Sequence, residues 1–160
     1  MTGTTKALKE AEIEGPFDLD ILAELVGYQL HRAEIDSYRQ FMKLSGKLKV
    51  TPKQFSALVL IGANPDLSQT ELRKSLGMDR ATTAVLIAAL DDRNLLERQR
   101  STLDRRRQKL RLTQHGTGVL KEMKLRVRKH DELLTSGLTS RERRALASLL
   151  RRIRSSDETF

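Results

Sequence analysis

The middle of the chain contains several helix starts and stops in close succession, and this spacing restricts the fold more than any other feature. The segment TPKQ at 51–54 combines an N-cap threonine, a proline at the first helical position and a glutamine at N3, which together form a capping box. A second capping box, SQTE at 68–71, follows a turn, and Asp79 is suited to cap a further helix. Gly62 and Gly77 end the first two helices. Two short helices joined around Gly77 therefore predict a helix-turn-helix.

The helix that begins after Asp79 has two chemically different faces. Side chains at the spacing i, i+3, i+4 and i+7 share one face and are predicted to pack into the core. They are Thr83, Leu86, Ile87 and Leu90, whereas the residues predicted to point elsewhere are Arg80, Ala81, Thr82 and Val85. The second helix of a helix-turn-helix enters the major groove of DNA, so the outward side chains are expected to meet base edges there.

Two short strand candidates follow, LLERQR at 95–100 and QKLRL at 108–112, on either side of a basic loop. In the second strand leucines alternate with basic residues, so the hairpin is expected to be apolar inside and basic outside. The three adjacent arginines at 105–107 repel one another and cannot form a packed core. A helix-turn-helix followed by a basic hairpin is a winged helix, whose hairpin tip reaches phosphates or the minor groove. Asp104 is expected to pair with one arginine and organise the loop.

Helices flank this region on both sides. Residues 1–16 are polar and are predicted to form a frayed arm, and the apolar spacing from 18 to 44 predicts a long first helix. Beyond Thr113 an apolar stripe that includes His130 predicts another helix, and TSRE at 139–142 is a third capping box. The predicted fold is mainly α with a small β-hairpin, a winged helix-turn-helix with N- and C-terminal helices.

Composition limits the function. The net charge is +9, and residues 48–112 hold 13 Lys and Arg against 7 Asp and Glu, which favours a nucleic-acid partner. The chain has no cysteine and no apolar stretch suited to a signal peptide or a membrane span, so we expect a cytoplasmic protein without a membrane partner. Its three histidines lack metal-ligand spacing, and nucleotide-binding and hydrolase motifs are missing. We therefore expect no enzyme activity, no cofactor and no metal site.

Several of these segments together resemble the MarR family of bacterial transcription regulators, over roughly residues 28–150. The most specific element is DRRRQKLRLTQHG at 104–116, which is close to the family's D-R-R…L-x-L-T-x-x-G signature. The other matching segments are TPKQ at 51–54, LSQTEL at 67–72, MDRATTAVLIAAL at 78–90 and LLER at 95–98. Three positions depart from the pattern: Val85 replaces a usual arginine, Ala88 a frequent acidic residue and Asn94 a usual glycine.

The resemblance implies a homodimer whose first and last helices interlock. Residues 17–47 and 114–156 would then form a helical dimerisation region, and residues 48–113 the DNA-binding region. The resemblance also implies binding to a near-palindromic operator in double-stranded DNA, usually as a repressor. Release would follow when a small, often aromatic, effector occupies a pocket between the dimer helices and the winged helix.

The expected DNA contacts come from the start of the first short helix, the outward face of the second, and the hairpin. They are Gln69, Thr70, Arg80, Ala81, Thr82, Val85, Arg100, Arg105, Arg106 and Arg107. For Ser68, capping alone and DNA contact remain equally open.

A candidate effector site is the stripe of Tyr28, His31 and Arg32, whose spacing i, i+3 and i+4 presents a hydroxyl, an imidazole and a guanidinium together. Such a stripe suits a carboxylate-bearing ring. The alternatives are polar contacts at a dimer interface or plain surface. The corresponding alternative function is a winged-helix DNA-binding protein without an effector, acting constitutively or architecturally.

Overall fold

The computed structural model describes residues 17–100 and 108–154, apart from the side chains at positions 100, 108 and 154. Within these ranges the chain forms six α-helices and three short β-strands. The helices are α1 (Val26–Ser45), α2 (Pro52–Ala63), α3 (Gln69–Leu76), α4 (Arg80–Asp91), α5 (Gln114–Leu134) and α6 (Ser140–Arg154). The strands are β1 (Leu67–Ser68), β2 (Leu96–Arg100) and β3 (Gln108–Leu112). This architecture confirms the predicted class, mainly α with a small β-hairpin.

The chain divides into two compact units, one up to Asp36 and the other from Ser37 onwards. In the first unit a 3₁₀ turn at Asp20–Ala23 precedes α1, so the helix begins at Val26 and the predicted start at residue 18 is wrong. The Asp18 carboxylate accepts a hydrogen bond from the Asp20 backbone N–H at 2.9 Å, and Asp20 has a φ of 47°. A side chain that binds nearby backbone competes with helical hydrogen bonding, and a left-handed residue interrupts an α-helix.

The helix starts in the second unit follow the capping signals. The Gln54 backbone N–H donates to Thr51 Oγ1 at 3.2 Å, and the Thr51 N–H donates to Gln54 Oε1 at 3.1 Å. The same reciprocal pair joins Ser68 and Glu71 at the start of α3. Gly77 ends α3 with a φ of 61°, a left-handed conformation that glycine adopts at little cost. These contacts confirm both predicted capping boxes and the glycine stop.

The three strands form one antiparallel sheet in the order β1-β3-β2. Strands β2 and β3 are the predicted hairpin, in which Leu96 lies opposite Leu112 and Arg98 lies opposite Leu110. Strand β1, which pairs Leu67 with Leu110, is missing from the prediction. Two residues are too few to show the alternation by which a strand is recognised in a sequence. The pairing attaches the hairpin to the start of α3.

One apolar core holds the second unit together. The predicted inner face of α4 is buried, with Thr83, Ile87 and Leu90 fully so, and each buried leucine or isoleucine side chain stabilises the fold by about 1.5–3 kcal/mol. Other core residues include Ala57, Leu58, Ile61, Leu72, Leu95, Leu96, Leu110, Val119, Leu120 and Met123. Because the core holds one face of α4 so firmly, the opposite face must stay outward.

Helix α5 packs on the part of α1 that belongs to the second unit, through polar as well as apolar groups. Nε2 of the buried His130 lies 3.1 Å from the Ser37 carbonyl oxygen, and its ring meets Phe41 edge-on at 5.6 Å. Arg126 donates to the carbonyl oxygens of Leu44 and Ser45 at 2.8 and 3.0 Å, which satisfies the end of α1. His130 is therefore a packed core histidine.

Helix α6 begins at the third predicted capping box. The Thr139 N–H donates to Glu142 Oε2 at 2.8 Å, and the Glu142 N–H donates to Thr139 Oγ1 at 3.3 Å. The apolar side chains of α6 are partly exposed, with Leu146 at 41% and Leu149 at 50%. None of the helices in the described ranges has the length and apolar content to cross a membrane.

Candidate nucleic-acid interface

The start of α4 is held by a single carboxylate. Asp79 Oδ1 accepts from the Thr82 backbone N–H at 2.8 Å, and Asp79 Oδ2 accepts from the Thr82 hydroxyl at 2.5 Å. The hydrogen bond from the Thr82 side chain is the main cause that lowers the pKa of Asp79 below its ordinary value. Because this bond uses the hydroxyl proton, Thr82 can offer a base only an acceptor oxygen and a methyl group.

The outward face of α4 is open along the whole first half of the helix. Val85 is 69% exposed, and Arg80, Ala81 and Thr82 are also exposed. Ala84 is exposed on the same face but is missing from the residues predicted to point outward. Its spacing of four residues from Arg80 would have indicated that the two share a face. A small-residue surface with one cation can approach base edges closely, and its valine can contact a thymine methyl group.

Helix α3 precedes α4 in the chain, and its first residues are the other predicted contact. Thr70 is exposed and Gln69 is half-buried. The Ser68 hydroxyl donates to Glu71 Oε2 at 2.6 Å and also accepts from the Glu71 N–H at 3.2 Å. Ser68 is thus occupied in capping, whereas Thr70 offers a side chain and a helix terminus to a phosphate.

The hairpin base is ordered by ion pairs on both sides. In β2, Arg98 Nε lies 3.0 Å from Asp91 Oδ2, which ties the strand to the end of α4. The backbone of Arg100 pairs with Gln108 at the last rung of the hairpin. Asp104 and the arginines at 105–107 lie outside the described residues, as does the side chain of Arg100. Their predicted contacts with DNA, and the pairing of Asp104 with an arginine, stay predictions.

One acidic residue that the sequence reasoning missed binds both basic residues of β3. Asp66 accepts from Lys109 Nζ at 3.0 Å and from Arg111 Nε at 2.6 Å. Asp66 lies in the turn before β1 with a φ of 71°, a conformation that short polar side chains tolerate. The predicted basic outer face of the hairpin is therefore partly neutralised at its base. In the sequence, the NPD segment at 64–66 indicates a turn at Asp66. A turn motif does not indicate which distant residues its side chains will bind.

The hydrogen bonds from Arg111 and then Lys109 lower the pKa of Asp66 to about 2. Because the folded pKa lies below the ordinary value of 3.8, the pairing stabilises the fold fully above that value and is lost as pH falls through about 2. We expect the Asp66 carboxyl carbon to titrate near 2 by NMR, and the Arg111→Ala variant to move the midpoint upwards. An unchanged midpoint in that variant would show that the pair does not form in solution.

The three candidate effector residues lie on α1, in the first unit. Tyr28 is half-buried, whereas His31 and Arg32 are exposed. Their predicted spacing on one helix is confirmed by the course of α1. In residues 17–100 and 108–154 no three His, Cys, Asp or Glu side chains are arranged to bind a metal ion.

Proteins similar to this chain agree with a DNA-contacting role for the exposed face of α4. A family model described as MarR family matches residues 48–107. The chain is 33% identical, over 141 residues, to a proposed transcriptional regulatory protein for the hcr operon of Thauera aromatica, and the match covers 82% of this chain and 85% of that relative.

Two similar proteins of known structure are regulators. The transcriptional repressor CouR, solved with a 23-mer DNA duplex, is 37% identical with a TM-score of 0.81, covering 87% of this chain and 99% of that one. The same repressor was also solved with p-coumaroyl-CoA, at 36% identity and a TM-score of 0.80, covering 86% and 96%. BpsR of Bordetella bronchiseptica, whose DNA binding is regulated by 6-hydroxynicotinic acid, is 29% identical with a TM-score of 0.78, covering 87% and 97%.

Proposed function

This chain belongs to the MarR family of transcriptional regulators, and we propose that it is a homodimeric repressor that a small aromatic acid or its thioester releases from a near-palindromic operator. As a member of the family it is a DNA-binding regulator and not an enzyme. The aromatic effector is supported by the ligands of similar proteins, since CouR binds p-coumaroyl-CoA and BpsR responds to 6-hydroxynicotinic acid.

The outward face of α4 gives the proposal its main support. The opposite face of this helix is buried in the core, while Arg80 and Val85 remain exposed in the helix that follows the Gly77 turn. We assign base contacts to this face, and phosphate contacts to Gln69, Thr70 and the hairpin arginines. With valine at position 85, we expect a preference for thymine where an arginine would favour guanine.

Dimerisation is supported by the exposed apolar residues of both units. In the second unit Leu146 and Leu149 lie on α6 and are 41% and 50% exposed, and in the first unit Leu25 and Val26 are 44% and 64% exposed. Contiguous apolar surface of this kind commonly marks a protein interface. We propose that a second copy of the chain covers these faces, with residues 17–47 and 114–156 as the dimerisation region and residues 48–113 as the DNA-binding region.

The proposal is tested by selecting binding sites from random duplexes and titrating the selected duplex by fluorescence anisotropy against a scrambled control. The titration is repeated with benzoate, p-coumarate and their coenzyme A thioesters. A palindromic site released by one of these compounds supports the ligand-responsive repressor. Specific binding that none of them relieves favours the alternative, a constitutive or architectural DNA-binding protein, and binding without sequence preference contradicts both.

Replacing Arg106 with alanine is expected to weaken binding to every duplex and to reduce the slope of log affinity against log salt by about 2, because the proposed homodimer loses one phosphate contact in each half-site. The matched control is Lys129→Gln, which removes one charge from an exposed position of α5. Affinities are measured over a series of salt concentrations. The same affinity and slope for Arg106→Ala as for the control would remove the hairpin tip from the interface.

Replacing Arg32 with alanine is expected to leave DNA affinity without ligand unchanged and to raise the ligand concentration needed for release. Losing a charged hydrogen bond to a carboxylate predicts an increase of about tenfold or more. Lys43→Ala, another exposed basic residue of α1, serves as the control. If the wild type, Arg32→Ala and Lys43→Ala are all released at the same ligand concentration, Arg32 belongs to a dimer contact or to plain surface.

A further inference from the structure

The connection between α1 and α2, residues 46–51, leads from the long first helix into the winged helix. It consists of a 3₁₀ turn at Gly46–Leu48 followed by Lys49, which has a φ of 46°. A residue other than glycine is strained in this left-handed conformation, and such strain persists only where surrounding contacts hold it. The contacts that hold the connection therefore matter for its function.

One side of the connection is tied to the end of α4 by Arg93, which lies two residues beyond the last residue of that helix. Arg93 Nη2 donates to the Leu48 carbonyl oxygen at 2.5 Å, and Nη1 donates to the Lys49 carbonyl oxygen at 3.1 Å. The same Nη1 lies 3.4 Å from Gln54 Oε1, the atom that accepts from the Thr51 N–H in the capping box of α2. One guanidinium thus binds the strained residue, the turn before it and the start of α2.

The other side of the connection is tied to α5 by Arg126. Its hydrogen bonds to the Leu44 and Ser45 carbonyl oxygens fix the residues that lead into the connection. The Ser45 hydroxyl oxygen accepts from the Val50 backbone N–H at 2.8 Å, and both residues are fully buried. A Cβ atom at Gly46 would lie 3.3 Å from Arg126 Nη1, so this arginine lies directly against the connection. Two arginines therefore hold the connection between α4 and α5.

Arg93 is held by carbonyl and amide oxygens in place of a carboxylate. It is half-buried, and within residues 17–100 and 108–154 it forms no ion pair. The N–H donors of a guanidinium form a rigid planar fork, so several acceptors fix its orientation as well as its position. Apolar burial is non-directional by comparison. The contacts of Arg93 therefore restrict rotation of α4 relative to the connection more than apolar burial alone does.

We propose that Arg93 determines which spacing of operator half-sites the protein accepts, by fixing the angle between α4 and the dimerisation helices. This inference rests on the proposed homodimer and its near-palindromic operator. In a symmetric dimer each α4 enters the major groove of one half-site, and the two half-sites lie whole turns of DNA apart. A rotation at the α1–α2 connection changes the separation of the two copies of α4. Arg93 is thus a positioning residue, which acts without touching DNA.

The test titrates three duplexes by fluorescence anisotropy: the selected operator, and the same operator with one base pair inserted or removed at its centre. Each change shifts the half-sites by about 3.4 Å and rotates them by roughly 35°. The wild type is expected to bind the altered duplexes at least about tenfold more weakly than the operator. Arg93→Ala is expected to bind the operator about tenfold more weakly, because a loosened winged helix must be ordered on binding. Its loss on the altered duplexes is expected to fall to about threefold or less.

Three further variants separate the position of Arg93 from its charge. Arg98→Ala is the matched control, because Arg98 binds Asp91 in the last turn of α4 and is expected to keep the wild-type ratio between duplexes. Arg126→Ala releases the other side of the connection and is expected to relax the spacing as Arg93→Ala does. Arg93→Lys keeps the charge but loses the planar fork, and it is expected to discriminate less than the wild type. Circular dichroism establishes which variants are folded.

The ratio of affinities for the altered and selected duplexes decides the outcome, because a merely destabilised protein binds all three more weakly by the same factor. A wild-type ratio in Arg93→Ala, or in Arg93→Lys where the alanine variant does not fold, would contradict the role of Arg93. Equal relaxation in Arg98→Ala would assign the effect to a general loss of charge. Wild-type binding that does not depend on spacing would instead contradict the proposed homodimer on a palindromic operator.

Discussion

Replacing Gly116 with alanine is expected to lower the free energy of unfolding by at least about 3 kcal/mol, or to prevent folding. A Cβ atom at this position would lie 1.8 Å from the Leu95 carbonyl oxygen and 2.7 Å from its carbonyl carbon. Neither is the flexible end of a side chain, so α5 would have to move away from the residue that precedes β2. No rotamer change can relieve this overlap.

The displacement would also break the junction between the sheet and α5. Thr113 caps α5 by accepting from the Gly116 N–H at 2.9 Å, and its own hydroxyl donates to the Asn94 carbonyl oxygen at 2.6 Å. The Thr113 backbone N–H donates to the Leu95 carbonyl oxygen, the atom that an alanine side chain would strike. The T-x-x-G part of the family signature thus has a steric explanation in this chain.

The measurement is urea unfolding followed by circular dichroism, at one fixed protein concentration because a dimer's stability depends on it. The control is Gly118→Ala, two residues further along α5, where an added Cβ meets nothing within 4 Å. This control is expected to gain about 0.5–1 kcal/mol from helix propensity. Equal unfolding midpoints for Gly116→Ala and the wild type would show that the junction differs in solution.

Replacing Val85 with glutamate is expected to weaken binding to the selected operator by at least about 100-fold, since like charges placed together cost several kcal/mol. The carboxylate would stand on the outward face of α4, among phosphates and acceptor-rich base edges. Because Val85 is 69% exposed, the substitution removes no core contact and the fold should persist.

The comparison for this variant is Lys129→Gln, which changes the net charge by the same amount at an exposed position of α5. Anisotropy titrations of both variants separate a local effect at the groove from a general loss of positive charge. Circular dichroism confirms that both are folded. If Val85→Glu binds the operator as tightly as Lys129→Gln does, α4 does not face the bases.

Much of the winged helix could be predicted from the sequence because its signals are local. Capping boxes act over three residues, and Thr51, Ser68, Asp79 and Thr139 all begin helices as predicted. The burial of one face of α4 follows from the spacing of its apolar residues alone. The start of α1 was the exception, because the Asx-type turn at Asp18 replaces helical geometry where the apolar pattern already looks helical.

The candidate site was predictable only in part. The exposed face of α4 was found by periodicity, whereas Ala84 was omitted and the cations of β3 proved to be paired. The hairpin arginines lie outside the described residues, so their roles depend on the experiments above. The three effector candidates share one face of α1, and a spacing within one helix carries no information about what lies opposite it.

The sequence by itself determined which segments become helices or strands and which face of α4 turns inward, because these depend on residues a few positions apart. Only the tertiary structure decided that Asp66 binds Lys109 and Arg111, more than 40 residues away, and that Gly116 touches Leu95. Such contacts depend on where packed elements cross, and no local pattern of residue types specifies that crossing.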